Sequence, residues 1–398
     1  MRRRTPLTAA VLAVLLTATA CSADPGDGTA PSGRPGASKA GPSKAALSWE
    51  FEHIADFRGE ITDLAALAEN DIWAVTKSRT SEPGLLHYDG ERWKSEPLPQ
   101  ASARTQYPPR LEKIDDSTLW LRPEPLEADT TATPWLSWDG KRWTPVPDPP
   151  SGLVGTLEAT GPDDIWTVAG EQTVRHWDGS RWIDSRLPHT VTDLAIAGPD
   201  DVWAAGYRTQ GPGTDLGQGQ TYSQPATSHW DGSAWKSVDT PQYRFPDPVP
   251  PEPGAGLRTL FVREDGEVRA YGTHTFNHGE TEPEPADEAV RLRWDGTEWT
   301  RMPGEKGGCG DRPPVFDDGK GLLLEGNWYV TDSGTCRKIE RHRLPVSTGA
   351  RKASNQSLWL TSYQRVPGTD EIIGAGHVQV NQSGDPFGAP VIVRLKRG

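Results

Sequence analysis

Two groups of residues in this 398-residue sequence have types and spacings that could support chemistry. His274 and His278 stand four apart beside Glu280, Glu282, Glu284, Asp287 and Glu288. On a helix that spacing would put two imidazoles on one face, as a metal site needs. Pro283 and Pro285 argue instead for an irregular acidic loop, and no metal ligand is assigned. Asp63 and Asp193 form the second group. Acid–base cleavage of a glycosidic bond needs two carboxyls about 5–9.5 Å apart, a separation that sequence does not reveal. The chain has no Ser/His/Asp signature, no phosphate loop and no Cys-rich metal spacing. No catalytic residue and no cofactor is assigned.

The elements that must position these residues are set by an internal repeat. Its strongest part is Trp-Asp-Gly-x-x-Trp, at Trp138 to Trp143, Trp177 to Trp182, Trp230 to Trp235 and Trp294 to Trp299, with Tyr88-Asp89-Gly90 and Trp93 as a fifth copy. Asp-Gly between two short strands signals a two-residue type I′ hairpin, whose central residues both take positive φ. That register sets Trp230 opposite Ser233 and makes the two Trp a diagonal pair. A second part precedes each hairpin: Asn70 to Val75, Asp163 to Val168 and Asp200 to Ala205, each with a central Trp. Each unit therefore reads strand, tight turn, Trp strand, variable loop, strand, Asp-Gly turn, strand. That is one four-stranded propeller blade, and the fold class is all-β.

The units run 61–99, 110–147, 154–188, 191–241, 257–303 and about 313–343, with a seventh from near Leu360. In the fifth, Arg269 replaces the second-strand Trp. In the sixth, Leu323 takes that place and Cys336 falls where a hairpin Trp would be. The seventh supplies three strands, and residues 48–54 supply the fourth beside the C-terminal strand. Such closure leaves no open edge. A seven-bladed ring is expected, with six or eight blades as alternatives.

The repeat resembles the Trp-Asp-Gly propeller repeats of secreted bacterial proteins related to kelch and galactose-oxidase-like propellers. The resemblance covers residues 48–398 and is specific for architecture, not for an activity. The paired glycines that kelch repeats carry after the second strand are missing. The sialidase Asp-box occupies the same hairpin but is one residue longer than Ser137 to Trp143. Galactose-oxidase copper chemistry would need a Tyr–Cys crosslink, and the cysteines have other assignments.

Aligning first strands places Asp63, Arg110, Thr156, Asp193, Thr259, Pro313 and Ser362 at one position near the channel mouth. This polar ring could hold a ligand group, or it could bond the inner-strand backbone. The long irregular segments 100–109, 122–133, 208–227, 242–256, 274–289, 304–312 and 380–388 fall on the face that carries this mouth, which marks it as the binding face. His87, His176 and His229 repeat before the hairpin aromatic and read as structural. The Trp residues recur at fixed positions and read as packing, although Trp135 is less regular and could be a loop contact.

Arg2-Arg3-Arg4, an apolar run from Leu7 to Thr17, and Ala18-Thr19-Ala20-Cys21 form an export signal that resembles a bacterial lipobox. The resemblance implies cleavage after residue 20, lipid on Cys21 and membrane attachment at the outer face of the cytoplasmic membrane. Residues 21–46, rich in Pro, Gly, Ser and Ala, read as a tether, and 47–398 as the propeller. The compositional bias resembles actinobacterial proteins. Cys309 and Cys336 remain, able to pair in an oxidising compartment or to stay as two buried thiols. Without residues 1–20 the chain has 39 basic against 55 acidic residues, which argues against a nucleic-acid partner. The expected role is a monomeric, non-catalytic module that binds a protein or glycan. The alternative is an extracellular carbohydrate-active enzyme with its site at the channel mouth.

Overall fold

A computed structural model describes residues 47–78, 83–99, 102, 107–124, 134–152, 154–210, 222–245, 253–275, 287–304, 308–310 and 312–398. The export signal, Cys21, the tether, His278 and Glu280 to Glu284 lie outside them. Among the described residues no helix is long and apolar enough to cross a membrane.

The chain folds as an all-β propeller. Strand β1 (Leu47–Ile54) is followed by the sheet β2 (Gly59–Ala68), β3 (Asp71–Ser78), β4 (Gly84–Tyr88) and β5 (Trp93–Glu96). The next sheet is β6 (Arg110–Lys113), β7 (Leu119–Arg122), β8 (Leu136–Trp138) and β9 (Trp143–Pro145). A third is β10 (Leu157–Gly161), β11 (Asp164–Gly170), β12 (Thr173–Trp177) and β13 (Trp182–Arg186). Two further meanders follow. One is β14 (Thr190–Gly198), β15 (Asp201–Gln210), β16 (Tyr222–Trp230) and β17 (Trp235–Val238). The other is β18 (Gly254–Val262), β19 (Val268–Thr275), β20 (Glu288–Trp294) and β21 (Trp299–Arg301). A single bridge, Ser223 to Gly254, joins the two into one eight-stranded sheet. Then come β22 (Pro314–Asp317), β23 (Gly321–Leu324), β24 (Trp328–Thr331) and β25 (Cys336–Lys338). The last sheet holds β26 (Glu340–Arg341), β27 (Asn355–Arg365), β28 (Ile372–Asn381) and β29 (Phe387–Arg397).

Strand β1 belongs to that last sheet. It runs antiparallel to β29 from Leu47 opposite Arg397 to Ile54 opposite Val391, and its other edge touches β26. Trp49 is buried there, and Glu52 pairs with Arg394. The two ends of the described chain thus close one sheet.

The Asp-Gly hairpins differ from the type I′ expectation. Trp230 pairs directly with Trp235, and the same holds for Trp138 with Trp143, Trp177 with Trp182, Trp294 with Trp299 and Tyr88 with Trp93. The loop between them is therefore four residues, and only its glycine has positive φ, 84–96°. The cause is the Asp side chain. Asp231 Oδ1 accepts the N–H groups of Ser233 and Ala234, both at 3.0 Å, so a side chain supplies the bonds that a second left-handed residue would otherwise have to arrange. Asp89, Asp139, Asp178 and Asp295 repeat the pattern.

The central Trp of the second strand is a wedge between sheets. Trp73 stacks on His87 of its own sheet at 3.9 Å and meets Trp138 and Trp143 of the following sheet at 5.0 and 5.7 Å. Trp166 does the same with His176, Trp230 and Trp235, and Trp203 with His229, Trp294 and Trp299. One carboxylate orients each wedge. Asp71 Oδ1 lies 2.8 Å from both Trp73 Nε1 and His87 Nε2, and Asp164 and Asp201 repeat this. The repeated histidines are structural. Trp135 is also a core residue and not a loop contact. It is 8% exposed and meets Trp120 edge-on at 6.0 Å. Segment 380–388 is shorter as a loop than expected, because β28 reaches Asn381 and β29 starts at Phe387.

Cys309 and Cys336 form a disulfide with Cα atoms 5.6 Å apart. It ties the segment after β21 to β25, beside a core of Tyr271, Leu322, Leu324 and Val330.

Candidate functional site

The expected ring occupies one register position. Asp63 faces Val75, Arg110 faces Arg122, Asp193 faces Ala205, Thr259 faces Tyr271, and Ser362 faces Ala375. Thr156 joins them by accepting the Val168 N–H at 3.1 Å. In β2, β14, β18 and β27 a bulge falls one residue before the ring position. Bulges bend a strand and re-aim its side chains. Backbones run so close there that a Cβ on Gly206, Gly272 or Gly376 would overlap a carbonyl of the inner strand.

Most of the ring is spent on holding sheets together. Asp63 accepts the Leu64 N–H and, from the next sheet, the Leu111 N–H, both at 2.9 Å. Asp193 accepts the Thr156 hydroxyl from the preceding sheet and the Leu260 N–H from the following meander, both at 2.8 Å. Ser362 reaches the Leu64 carbonyl at 3.4 Å. The bulge threonines add a second stitch. Thr192 donates to the Leu257 carbonyl and Thr361 to the Ile61 carbonyl, both at 2.8 Å. Arg110 stays outward, half exposed and 3.6 Å from Glu124. The structure does not pair Asp63 with Asp193, since each binds different neighbours.

Two carboxyls missed by the ring alignment stand beside it. Glu112 and Glu158 lie two residues beyond Arg110 and Thr156, on the same faces of β6 and β10. With Asp63 and Asp193 they make an arc over β2, β6, β10 and β14. Burial raises all four pKa values. Glu158 is pushed up to about 8 by burial first, then by the charges of Asp193 and Glu112. Asp193 is pushed up to about 6 by burial, against the bonds it accepts from Leu260 and Thr156. Arg122 opposes the rise at Glu112, with Nε 2.6 Å from Oε1, and also holds the Val154 carbonyl of the next sheet. The period-two pattern of a strand was the signal for Glu112 and Glu158. Among the described residues no three His, Cys, Asp or Glu are arranged to hold a metal ion. His274 is buried on β19 and 3.4 Å from Glu288.

The two faces differ in their connections. On one, strand three turns into strand four through four residues in each hairpin, and strands one and two are joined by short turns. On the mouth face, β7 leads to β8 across 123–135, β15 to β16 across 211–221 and β19 to β20 across 276–287. Among the described residues the exposed large apolar side chains follow the same division. Tyr107 lies in the approach to β6, Tyr207 near the end of β15, Val346 between β26 and β27, and Trp359 in the first half of β27. All four belong to segments that reach the mouth face. Ile183, on an outer strand, is the fifth.

No family model matches the chain, and no curated protein matches it. Similar solved structures exist. One, described as YCF48 bound to D1 peptide, is 13% identical, with a TM-score of 0.46 over 90% of this chain and 99% of that one. YCF48 from Cyanidioschyzon merolae is 14% identical, with a TM-score of 0.45 over 87% and 98%. The WD40 β-propeller domain of Doa1 is 12% identical, with a TM-score of 0.47 over 88% and 97%. At such identity nothing about ligands carries over, and the site rests on its own geometry.

Proposed function

We propose that this chain is an exported, lipid-anchored propeller of seven blades that binds a protein or glycan through its mouth face and performs no chemistry there. The blade count treats the eight-stranded sheet as two blades, because one bridge joins two complete four-stranded meanders. One observation carries the binding role. Tyr107, Tyr207, Val346 and Trp359 stand exposed on segments that reach the face with the long connections, while most of the ring beneath is committed to sheet-to-sheet bonds. Exposed aromatic side chains on one face mark interaction surfaces, where Trp and Tyr dominate binding energy. Lipid attachment rests on the Ala18 to Cys21 motif.

The test is capture of envelope proteins and an arrayed glycan set by the chain and by a Tyr207→Ala/Trp359→Ala variant. A defined ligand, weakened at least tenfold in the variant with melting unchanged, supports the reading. Retention that ignores both substitutions refutes it. A Cys21→Ser chain is expected in the soluble fraction of the producing bacterium; persistence in the membrane would remove the anchor.

One observation favours a second reading, a carbohydrate-active enzyme at the channel mouth. Glu158 holds its proton near neutral pH beside Asp193, whose pKa is lower. A carboxylic acid beside a carboxylate is the arrangement of a glycosidase acid–base pair. Turnover of any glycan, abolished by Glu158→Gln, would decide for it.

A further inference from the structure

One exposed ring of the mouth face stands among groups that suit a particular ligand. Trp359 is 52% exposed on β27, the innermost strand of the last sheet. Its cross-strand partner is His377 on β28, so the two side chains share one face of the sheet. That face looks toward the first sheet. His377 Nδ1 lies 3.9 Å from Glu60 Oε2 on β2. Ala375 and Ile373, two and four residues earlier on β28, share a core with Ile61 and Leu64 of β2. Thr361, two residues after Trp359, bonds the Ile61 carbonyl at 2.8 Å. Trp359 and Glu60 therefore occupy neighbouring inner strands at one height, at the seam between the last sheet and the first.

The groups around the indole are polar. Glu60 pairs in register with Lys77 on β3, with Nζ 3.8 Å from Oε1. Both this separation and the one to His377 exceed a hydrogen bond. Lys77 and His377 thus flank the Glu60 carboxylate while its oxygens keep capacity to accept. Ser357, two residues before Trp359, adds a hydroxyl on the same face of β27. A hot spot for a protein partner is an aromatic anchor ringed by contacts that exclude water. On this face Trp359 is flanked by Ser357, His377 and Glu60 instead. A pyranose is the complement of that arrangement. One side of the sugar ring is a flat set of C–H bonds, which the negative face of an indole attracts. Its edge carries hydroxyls, which donate to a carboxylate and accept from an ammonium.

We propose that Trp359 is the platform of a saccharide subsite. A pyranose stacks on the indole, Glu60 accepts from its hydroxyls and Lys77 donates to one of them. The carboxylate, in a chain with 55 acidic against 42 basic residues, selects a neutral sugar over a uronate. This assignment rests on the mouth-face reading above and narrows it from protein or glycan to glycan.

Isothermal titration of the full-length chain tests it, with β-1,4-linked tetrasaccharides of glucose, N-acetylglucosamine, mannose and galactose, and with tetragalacturonate. At least one neutral tetrasaccharide is expected to bind saturably, and at least fivefold tighter than tetragalacturonate. Trp359→Ala is expected to lose at least tenfold in affinity with an unchanged melting temperature, and Trp359→Phe, which keeps a smaller ring, to lose less. Glu60→Gln is expected to lose at least threefold. Ile183→Ala, at an exposed apolar residue on an outer strand, is expected to change affinity less than twofold. No saturable binding by any neutral tetrasaccharide, affinity unchanged in Trp359→Ala, or equal affinity for tetragalacturonate would each overturn the assignment. A protein captured through Trp359 by a chain that binds no saccharide would overturn this assignment and leave the mouth-face reading standing. Failure to capture either a protein or a glycan would take both.

Discussion

At the scale of single residues, the carboxyl arc makes stability depend on pH with a definite sign. Glu158 and Asp193 hold their protons more tightly in the folded chain than an exposed carboxyl would, at about 8 and about 6. Between pH 4 and 8 the folded state therefore binds more protons than the unfolded one, and stability falls as pH rises through that window. The two groups, with Glu112, titrate together, so the curve belongs to the set. Glu158→Gln keeps the shape and removes the charge that must be expelled. It is expected to melt higher than the parent at pH 8 and to match the parent near pH 4.5. Equal melting at both pH values, read by scanning calorimetry, would show that Glu158 is freely solvated. The ring position was legible because the repeat could be aligned. That Asp63 and Asp193 bond the next sheet was not, since the donors Leu111 and Leu260 are distant backbone groups with no side-chain signature.

At the scale of elements, the hairpin and the wedge divide what sequence can and cannot say. Five Asp-Gly copies were enough to place strands three and four. The register was missed because the Asp side chain, not a second positive-φ backbone, closes the loop. The wedge was visible as a recurrent Trp, but its partners lie in the following sheet, which no local pattern identifies. Trp203 fills a fully buried slot between His229 and the Trp294–Trp299 pair. Trp203→Ala is expected to cost about 3–5 kcal/mol, the range for a truncated core Trp. Trp359→Ala, at 52% exposure, is expected to cost within about 0.5 kcal/mol. Denaturant titration of both tests the contrast, and comparable losses would mean that Trp203 is not a wedge. Arg269 breaks the same pattern, and a sequence reader could note the substitution but not the cleft of about 400 Å³ that it lines.

For the whole molecule, the ends of the described chain settle how the ring closes. The expectation that residues 48–54 lie beside the last strand follows from an outer strand without a hairpin and a final unit short by one. The structure sets Leu47–Ile54 against Val391 to Arg397. The consequence is a chain whose most distant segments depend on each other. Without β1, the edge of β29 is bare from Val391 to Arg397, and Val393 and Leu395 lose the cover of Phe51 and Trp49. Exposed apolar edges recruit other chains. Deleting residues 47–54 while keeping everything before them is therefore expected to lower the melting temperature and to convert the chain into soluble oligomers or aggregate. Adding Glu50→Pro to the intact chain is a milder form of the same test, because a proline opposite Arg394 removes a backbone donor from β1 without changing chain length. Light scattering and melting curves read both. A monomer of unchanged stability in the deletion would mean that the ring is held shut by its wedges and sheet-to-sheet side-chain bonds alone, with β1 a passenger on the last sheet.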